Sequence, residues 1–168
     1  GADVVQQATE YISGNEGFRS AAYPDPIHGN RRPTIGFGTT RNRMVDAYLQ
    51  GQGLDPNQVF SIGGGVNITR QQAEDMRDIY VQHSLNQMSN RDDTPWFRDL
   101  PPEAQVVMLD MSFNLGANFR FPNMFNALQQ GDFNRAADEI LNSQYAGQVS
   151  NRARRNAEAM RALAGQGQ

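Results

Sequence analysis

Glu16-Gly17-Phe18-Arg19-Ser20-Ala21-Ala22-Tyr23-Pro24-Asp25 and, beyond a turn over 26–33, Thr34-Ile35-Gly36-Phe37-Gly38 form the segment on which the reading of this chain depends. Across 16–40 aromatic, β-branched and turn residues replace any helical period, which predicts short strands joined by turns. Outside this segment the pattern is helical. Asp3 stands where it can cap a first helix, 3–13, with Val5, Ala8 and Ile12 on one side and Gly14 as its stop. A small helix is expected over 43–50 and a loop over 51–67, where Gly63-Gly64-Gly65 interrupts any periodicity. Thr69 and Gln72 make a capping box for a long helix with Ala73, Met76, Tyr80 and His83 on one stripe. Pro101-Pro102-Glu103 opens another, with Ala104, Val107, Met108 and Met111 on its apolar side and Gly116 just past its end. Three further helices are predicted over 121–130, 133–141 and 151–164, and 165–168 reads as a frayed tail or linker stub. The expected architecture is α+β in one domain, 1–168. A small lobe with a short β-hairpin or sheet (about 16–68) faces a larger, mostly helical lobe (about 69–164, plus the helix 3–13), and a cleft between them is the expected ligand site.

Composition narrows the chemistry. A chain of 168 residues buries enough surface to fold without staples. It has no cysteine, so disulfides, thiolate metal ligands and cysteine nucleophiles are excluded. All 15 basic side chains are Arg; without Lys there is no Schiff-base chemistry and no Walker-type phosphate loop. The net charge of −3 argues against nucleic acid as a partner. No apolar run approaches the ~18 residues a membrane span needs, and the first residues lack the basic and apolar regions of a signal peptide. Because the chain starts at Gly1 rather than Met, it is expected to be a processed product or a piece of something longer. Asn and Gln together supply 31 residues, a surface suited to hydrogen-bonding neutral polar ligands such as sugars, although such amides are also ordinary solvated surface.

Glu16 and Asp25 are two carboxylates at opposite ends of a strand-and-turn segment, and antiparallel pairing would bring Thr34 close to them. Cleavage of a glycosidic bond needs one carboxylic acid to protonate the leaving oxygen and a second carboxylate to activate water or attack the anomeric carbon. Partial burial of Glu16 would suit it to the acid role. Taken alone, a capping Glu and a turn Asp between two prolines account for the pair more simply. Glu10 is a second acid near the first helix end, with no motif around it. Trp96 and Phe97 offer aromatic surface for sugar stacking, or packing anchors after a Pro turn. His28 and His83 are too far apart in sequence to suggest a metal site, and no metal or cofactor is expected.

The context of these residues resembles the active-site segment of phage-type lysozymes, glycoside hydrolase family 24, the family of the T-even phage endolysin. There the pattern is E-G-x-R-x-x-x-Y-x-D followed by T-I-G-x-G, matched here from Glu16 to Asp25 and from Thr34 to Gly38, with a turn about three residues longer between them. Thr69-Arg70-Gln71-Gln72-Ala73-Glu74 is similar to the start of the family's long interlobe helix. Phe113-Asn114-Leu115-Gly116 is similar to the end of its central helix, and Asn151-Arg152-Ala153-Arg154-Arg155 to the N-R-A-x-R segment of its last. The resemblance implies that Glu16 is the general acid and that Asp25 and Thr34 position and activate water on the opposite face of the sugar. It also implies that Arg152 ion-pairs with Glu16; Arg154 and Arg155 read as ordinary surface charges. The implied mechanism is inverting, with carboxyl groups ~6.5–9.5 Å apart. The substrate would be peptidoglycan, cut between N-acetylmuramic acid and N-acetylglucosamine.

A lytic transglycosylase, needing one Glu and no water-activating Asp, is the alternative enzyme, and a catalytically silent glycan-binding module the alternative class. The protein is expected to act as a monomer on glycan strands, with neither nucleic acid nor membrane as partner. It would be either an endolysin made in the host cytoplasm and acting on the wall, or a lytic part of a larger virion protein. The negative net charge gives no general attraction to an anionic wall. Wall lysis should therefore change little between low and moderate salt; a steep fall in turbidity clearance over that range would contradict this expectation.

Overall fold

A computed structural model of the protein describes residues 2–25 and 32–166, with side chains from Val4 onward. The first helix already includes Ala2, ahead of the expected Asp3 cap, whose side chain is not among those described, and the turn residue His28 falls outside the described residues. The chain is α+β, helical for most of its length with one small antiparallel sheet. It divides into two compact units, 9–83 and 1–8 with 84–168.

Unit 9–83 holds the sheet. Helix α1 (Ala2–Asn15) leads into β1 (Arg19–Pro24), β2 (Pro33–Gly36) and β3 (Thr39–Thr40), in the order β1-β2-β3. The helix continues past Gly14, the expected stop, and Glu16 N–H still donates to Ile12 O at 2.9 Å. Its buried apolar positions are Val4, Ala8 and Ile12 rather than Val5, the spacing of one helical face. β1 and β2 pair with Tyr23 opposite Thr34 and Pro24 opposite Pro33, and the register slips between Arg19 and Tyr23. Helix α2 (Arg43–Gly51) is capped by the Asn42 side chain, which accepts from Val45 N–H. The segment expected as a loop contains one helical turn, α3 (Pro56–Val59), opened by Asp55 as N-cap and Pro56 as first residue, and it buries Val59 and Phe60. Helix α4 (Arg70–Asn90) starts at the expected capping box: Gln72 N–H donates to Thr69 Oγ1 at 3.1 Å, and Thr69 N–H to Gln72 Oε1 at 2.9 Å. Ala73 and Met76 are buried as expected, whereas His83 is exposed. Ile35, Phe37, Val45, Leu49, Val59, Phe60, Ile68, Ala73 and Met76 form this unit's core.

The larger unit is built on α5 (Pro102–Leu115), α6 (Pro122–Gln129), α7 (Phe133–Leu141), α8 (Gln144–Gln148) and α9 (Ser150–Gln166). α5 is buried on all sides: every residue from Ala104 to Asn114 is shielded, so the apolar stripe read from the sequence is one face of a fully enclosed helix. α9 extends through Gly165, past the expected fraying point, and packs on α5, α7 and α8. The short α8, unforeseen in the sequence, is capped by Ser143 and buries Tyr145.

Asp110 on α5 is fully buried and pairs with Arg152 on α9 through two bonds, Nε to Oδ2 at 2.9 Å and Nη2 to Oδ1 at 2.6 Å. Asn156 Nδ2 donates to Asp110 Oδ2 at 3.0 Å and to Tyr145 Oη at 2.8 Å, so one network ties α5, α8 and α9. A forked, hydrogen-bonded pair of this kind offsets its own desolvation, but removing one partner strands the other charge. Asp110→Ala is expected to lower unfolding free energy by ~3–5 kcal/mol, measured by urea denaturation; a loss below ~1 kcal/mol, the range of a surface pair, would contradict the network's role.

Candidate active site

Glu16, Asp25 and Thr34 all belong to unit 9–83. Glu16 follows the last residue of α1 and is part-buried. Asp25 lies one position beyond β1, where its N–H donates to Arg32 O at 3.3 Å and extends the ribbon. Thr34 on β2 is 1% exposed, and its hydroxyl donates to Arg32 O at 3.4 Å. Side chains two apart on a strand share a face, and so do directly opposed residues on paired strands. Tyr23, Asp25 and Thr34 are therefore on one face of the β1–β2 ribbon.

The other end of the ribbon carries Glu16. β2 turns into β3 through Gly36, Phe37 and Gly38, and both glycines have positive φ, +68° and +80°. Only glycine adopts such values without strain. Both also make close approaches. A methyl group on Gly36 would lie 3.0 Å from Ala73 Cβ, so the turn is pressed against α4. A methyl group on Gly38 would lie 2.8 Å from Glu16 Cδ and 2.9 and 3.0 Å from its two oxygens. The carboxyl group of Glu16 thus rests on the bare Cα of Gly38. Between the glycines, Phe37 is 2% exposed and lies beneath two guanidinium groups from α4, Arg70 and Arg77, each 5.2 Å from its ring centre. Arg77 also donates to Ser13 Oγ on α1.

Tyr23 shares the field of both carboxylates. Burial first, then the negative charges of Glu16 and Asp25, push its phenol from 10.0 up to about 12, against an opposing pull from Arg19. The Arg19 guanidinium lies 4.4 Å from the centre of its ring. Neither Tyr23 nor Gly38 is given a role by the sequence reading, although both stand in the segment that carries the resemblance. The period-2 spacing from Tyr23 to Asp25 was the available signal for the first.

Arg152, expected as an ion-pair partner of Glu16, belongs to the larger unit and forks onto Asp110. Arg154 and Arg155 are exposed, as is Glu10, midway along α1. Phe97 is fully buried, and Trp96 meets Phe125 edge-on at 5.4 Å; both are packed against the larger unit's core. Among the described residues, no group of three or more His, Asp or Glu is placed to hold a metal ion, and no helix is long and apolar enough to cross a membrane.

A family model described as "Phage lysozyme" matches residues 13–158, a span that contains Glu16, Asp25, Thr34 and Arg152. No curated protein matches the chain.

The folded protein binds the Tyr23 phenolic proton more tightly than the unfolded chain does, so this group costs stability as pH rises from 10.0 towards about 12. Ultraviolet titration of the protein, with Tyr23→Phe subtracted, should show one phenol ionising near 12. Glu16→Gln and Asp25→Asn should each lower that value, because each removes a negative charge that opposes the phenolate. A Tyr23 titration untouched by both substitutions would refute the shared field.

Proposed function

The chain belongs to the phage lysozyme family, whose members hydrolyse peptidoglycan, and from that premise we propose that it is a muramidase. In this reading it cleaves the β-1,4 bond between N-acetylmuramic acid and N-acetylglucosamine with inversion at the anomeric carbon. One observation carries the proposal: a single ribbon puts Tyr23, Asp25 and Thr34 on one face, while the turn at its far end supports the carboxyl group of Glu16.

Glu16 acts as general acid, giving its proton to the glycosidic oxygen as the bond to the anomeric carbon breaks. It stands just beyond the C-terminus of α1, where its N–H still donates to Ile12 O, so the helix end fixes the backbone from which the carboxyl group extends. Asp25 accepts a proton from water, and that water attacks the anomeric carbon from the face opposite the leaving group. Thr34 orients the water. Its shielded position and its bond to Arg32 O hold the hydroxyl in one place. Arg152 is retained as ion-pair support for Glu16 on the strength of the N-R-A-x-R resemblance alone. The catalyst is a monomer acting on glycan strands of the wall, either after release from the host cytoplasm as an endolysin or as a part of a virion protein.

Glu16→Gln and Asp25→Ala should each slow digestion of purified peptidoglycan by ~10²–10⁴-fold, the range contributed by a positioned acid or base. Dye release from labelled wall measures the rate, and wild-type rates in both variants would overturn the mechanism. Product analysis separates the chemistries. Free reducing ends formed first as the inverted anomer are expected; 1,6-anhydro ends would instead mean a lytic transglycosylase. Wall binding with no turnover would mean a silent glycan-binding module.

A further inference from the structure

Resting on the reading of Glu16 as the acid, we infer that Gly38 is a positioning residue: its bare Cα is the seat against which the carboxyl group of Glu16 is held, and the Phe37 clamp on α4 keeps that seat in place. A flexible Glu side chain after a helix end samples several rotamers, so a proton donor there needs a wall as well as a backbone anchor. The Cα of Gly38 supplies the wall. All three carboxyl atoms of Glu16 lie within 2.8–3.0 Å of the position any Cβ would take, so every other residue would displace the group. The seat is itself fixed to α4 on two sides. Gly36 is in near contact with Ala73, and the Phe37 ring lies under Arg70 and Arg77, seven positions and two turns apart on the helix. Arg77 bonds to Ser13, three positions before Glu16, so the same side chain touches both the segment bearing the acid and the turn bearing its seat.

The test compares Gly38→Ala with Gly53→Ala. Gly53 has φ +77° and open space where a Cβ would go, so its substitution reports backbone strain alone. Both should lower Tm by similar amounts. Gly38→Ala alone should lose activity, with kcat on soluble glycan fragments down ~100-fold, as a misplaced catalytic group predicts, and KM within about two-fold. Its pH–rate profile should also lose the limb set by Glu16 in the wild type. In a Glu16→Asp background, where the shortened side chain withdraws from the seat, adding Gly38→Ala should cost almost nothing more. Phe37→Leu keeps apolar bulk but removes the ring beneath Arg70 and Arg77, and should lower kcat ~10-fold with KM unchanged. Wild-type kcat in folded Gly38→Ala overturns the inference. So does an equal loss in both backgrounds or, if Gly38→Ala is not recovered folded, wild-type kcat in Phe37→Leu. Glu16→Gln is assayed alongside. Full activity there sinks the reading of the acid itself, whereas an inactive Glu16→Gln beside an active Gly38→Ala sinks only the seat.

Discussion

The contact between the Glu16 carboxyl group and the Cα of Gly38 is the constraint around which unit 9–83 is arranged. A carboxyl group can lie that close to a Cα only where the Cα carries no side chain. The turn bearing the glycine must also be held still, or the approach would relax. Rigidity comes from α4. Ala73 offers a small surface for Gly36, and Arg70 and Arg77 cover Phe37. α4 is held in turn by the Tyr48 hydroxyl, which donates to Asp75 at 2.6 Å from α2, and by Ile68 N–H, which donates to Ser20 O at 2.8 Å just before the helix begins. The site's geometry is thus a consequence of packing one short hairpin onto one long helix.

The larger unit solves a different problem. Its central helix, α5, is enclosed on all sides, and an enclosed helix with a carboxylate in its middle is stable only if that charge is met. Arg152 meets Asp110 with two guanidinium N–H groups and Asn156 supplies a third donor, so both carboxylate oxygens are engaged. Arg152 is consequently fixed in orientation by a residue on another helix before any further partner is considered.

Much of this was legible in the sequence because it is local. The capping box at Thr69, the Pro-started α5 and the strand-and-turn composition across 16–40 each specify structure within a few residues of themselves. Glu16, Asp25 and Thr34 could be named as candidates for the same reason, since the segment that carries them is continuous. What was missed is short or distant. α3 and α8 are single turns whose caps are visible only once their neighbours are known to be buried. Gly14 looked like a stop, but the i→i−4 bonding continues past it as far as Glu16. His83 matched a helical period and yet faces solvent, because the buried face of the helix passes instead through Val81, Ser84 and Met88. The pairing of Arg152 with Asp110 spans 42 positions, and no periodicity relates them. Gly38 was visible as a letter in a motif, but its contact with Glu16 exists only in three dimensions.

The absence of lysine, at first a curiosity of composition, gains a physical reading from where the arginines stand. Arg70 and Arg77 lie over the Phe37 ring, Arg19 lies over Tyr23, and Arg152 spans both oxygens of Asp110. A planar guanidinium stacks on an aromatic face and forks onto a carboxylate, and it gives up hydration more readily than an ammonium does. Lysine at 77 would keep the charge but not the planar stack on Phe37, and at 152 it would reach Asp110 as a point charge without the fork. At these positions the guanidinium therefore serves as packing as much as charge, and this is compatible with a net charge of −3. Of these cations Arg77 and Arg152 are largely shielded and engaged with the protein's own ring and carboxylate, so those two contribute little to attracting an anionic wall from a distance.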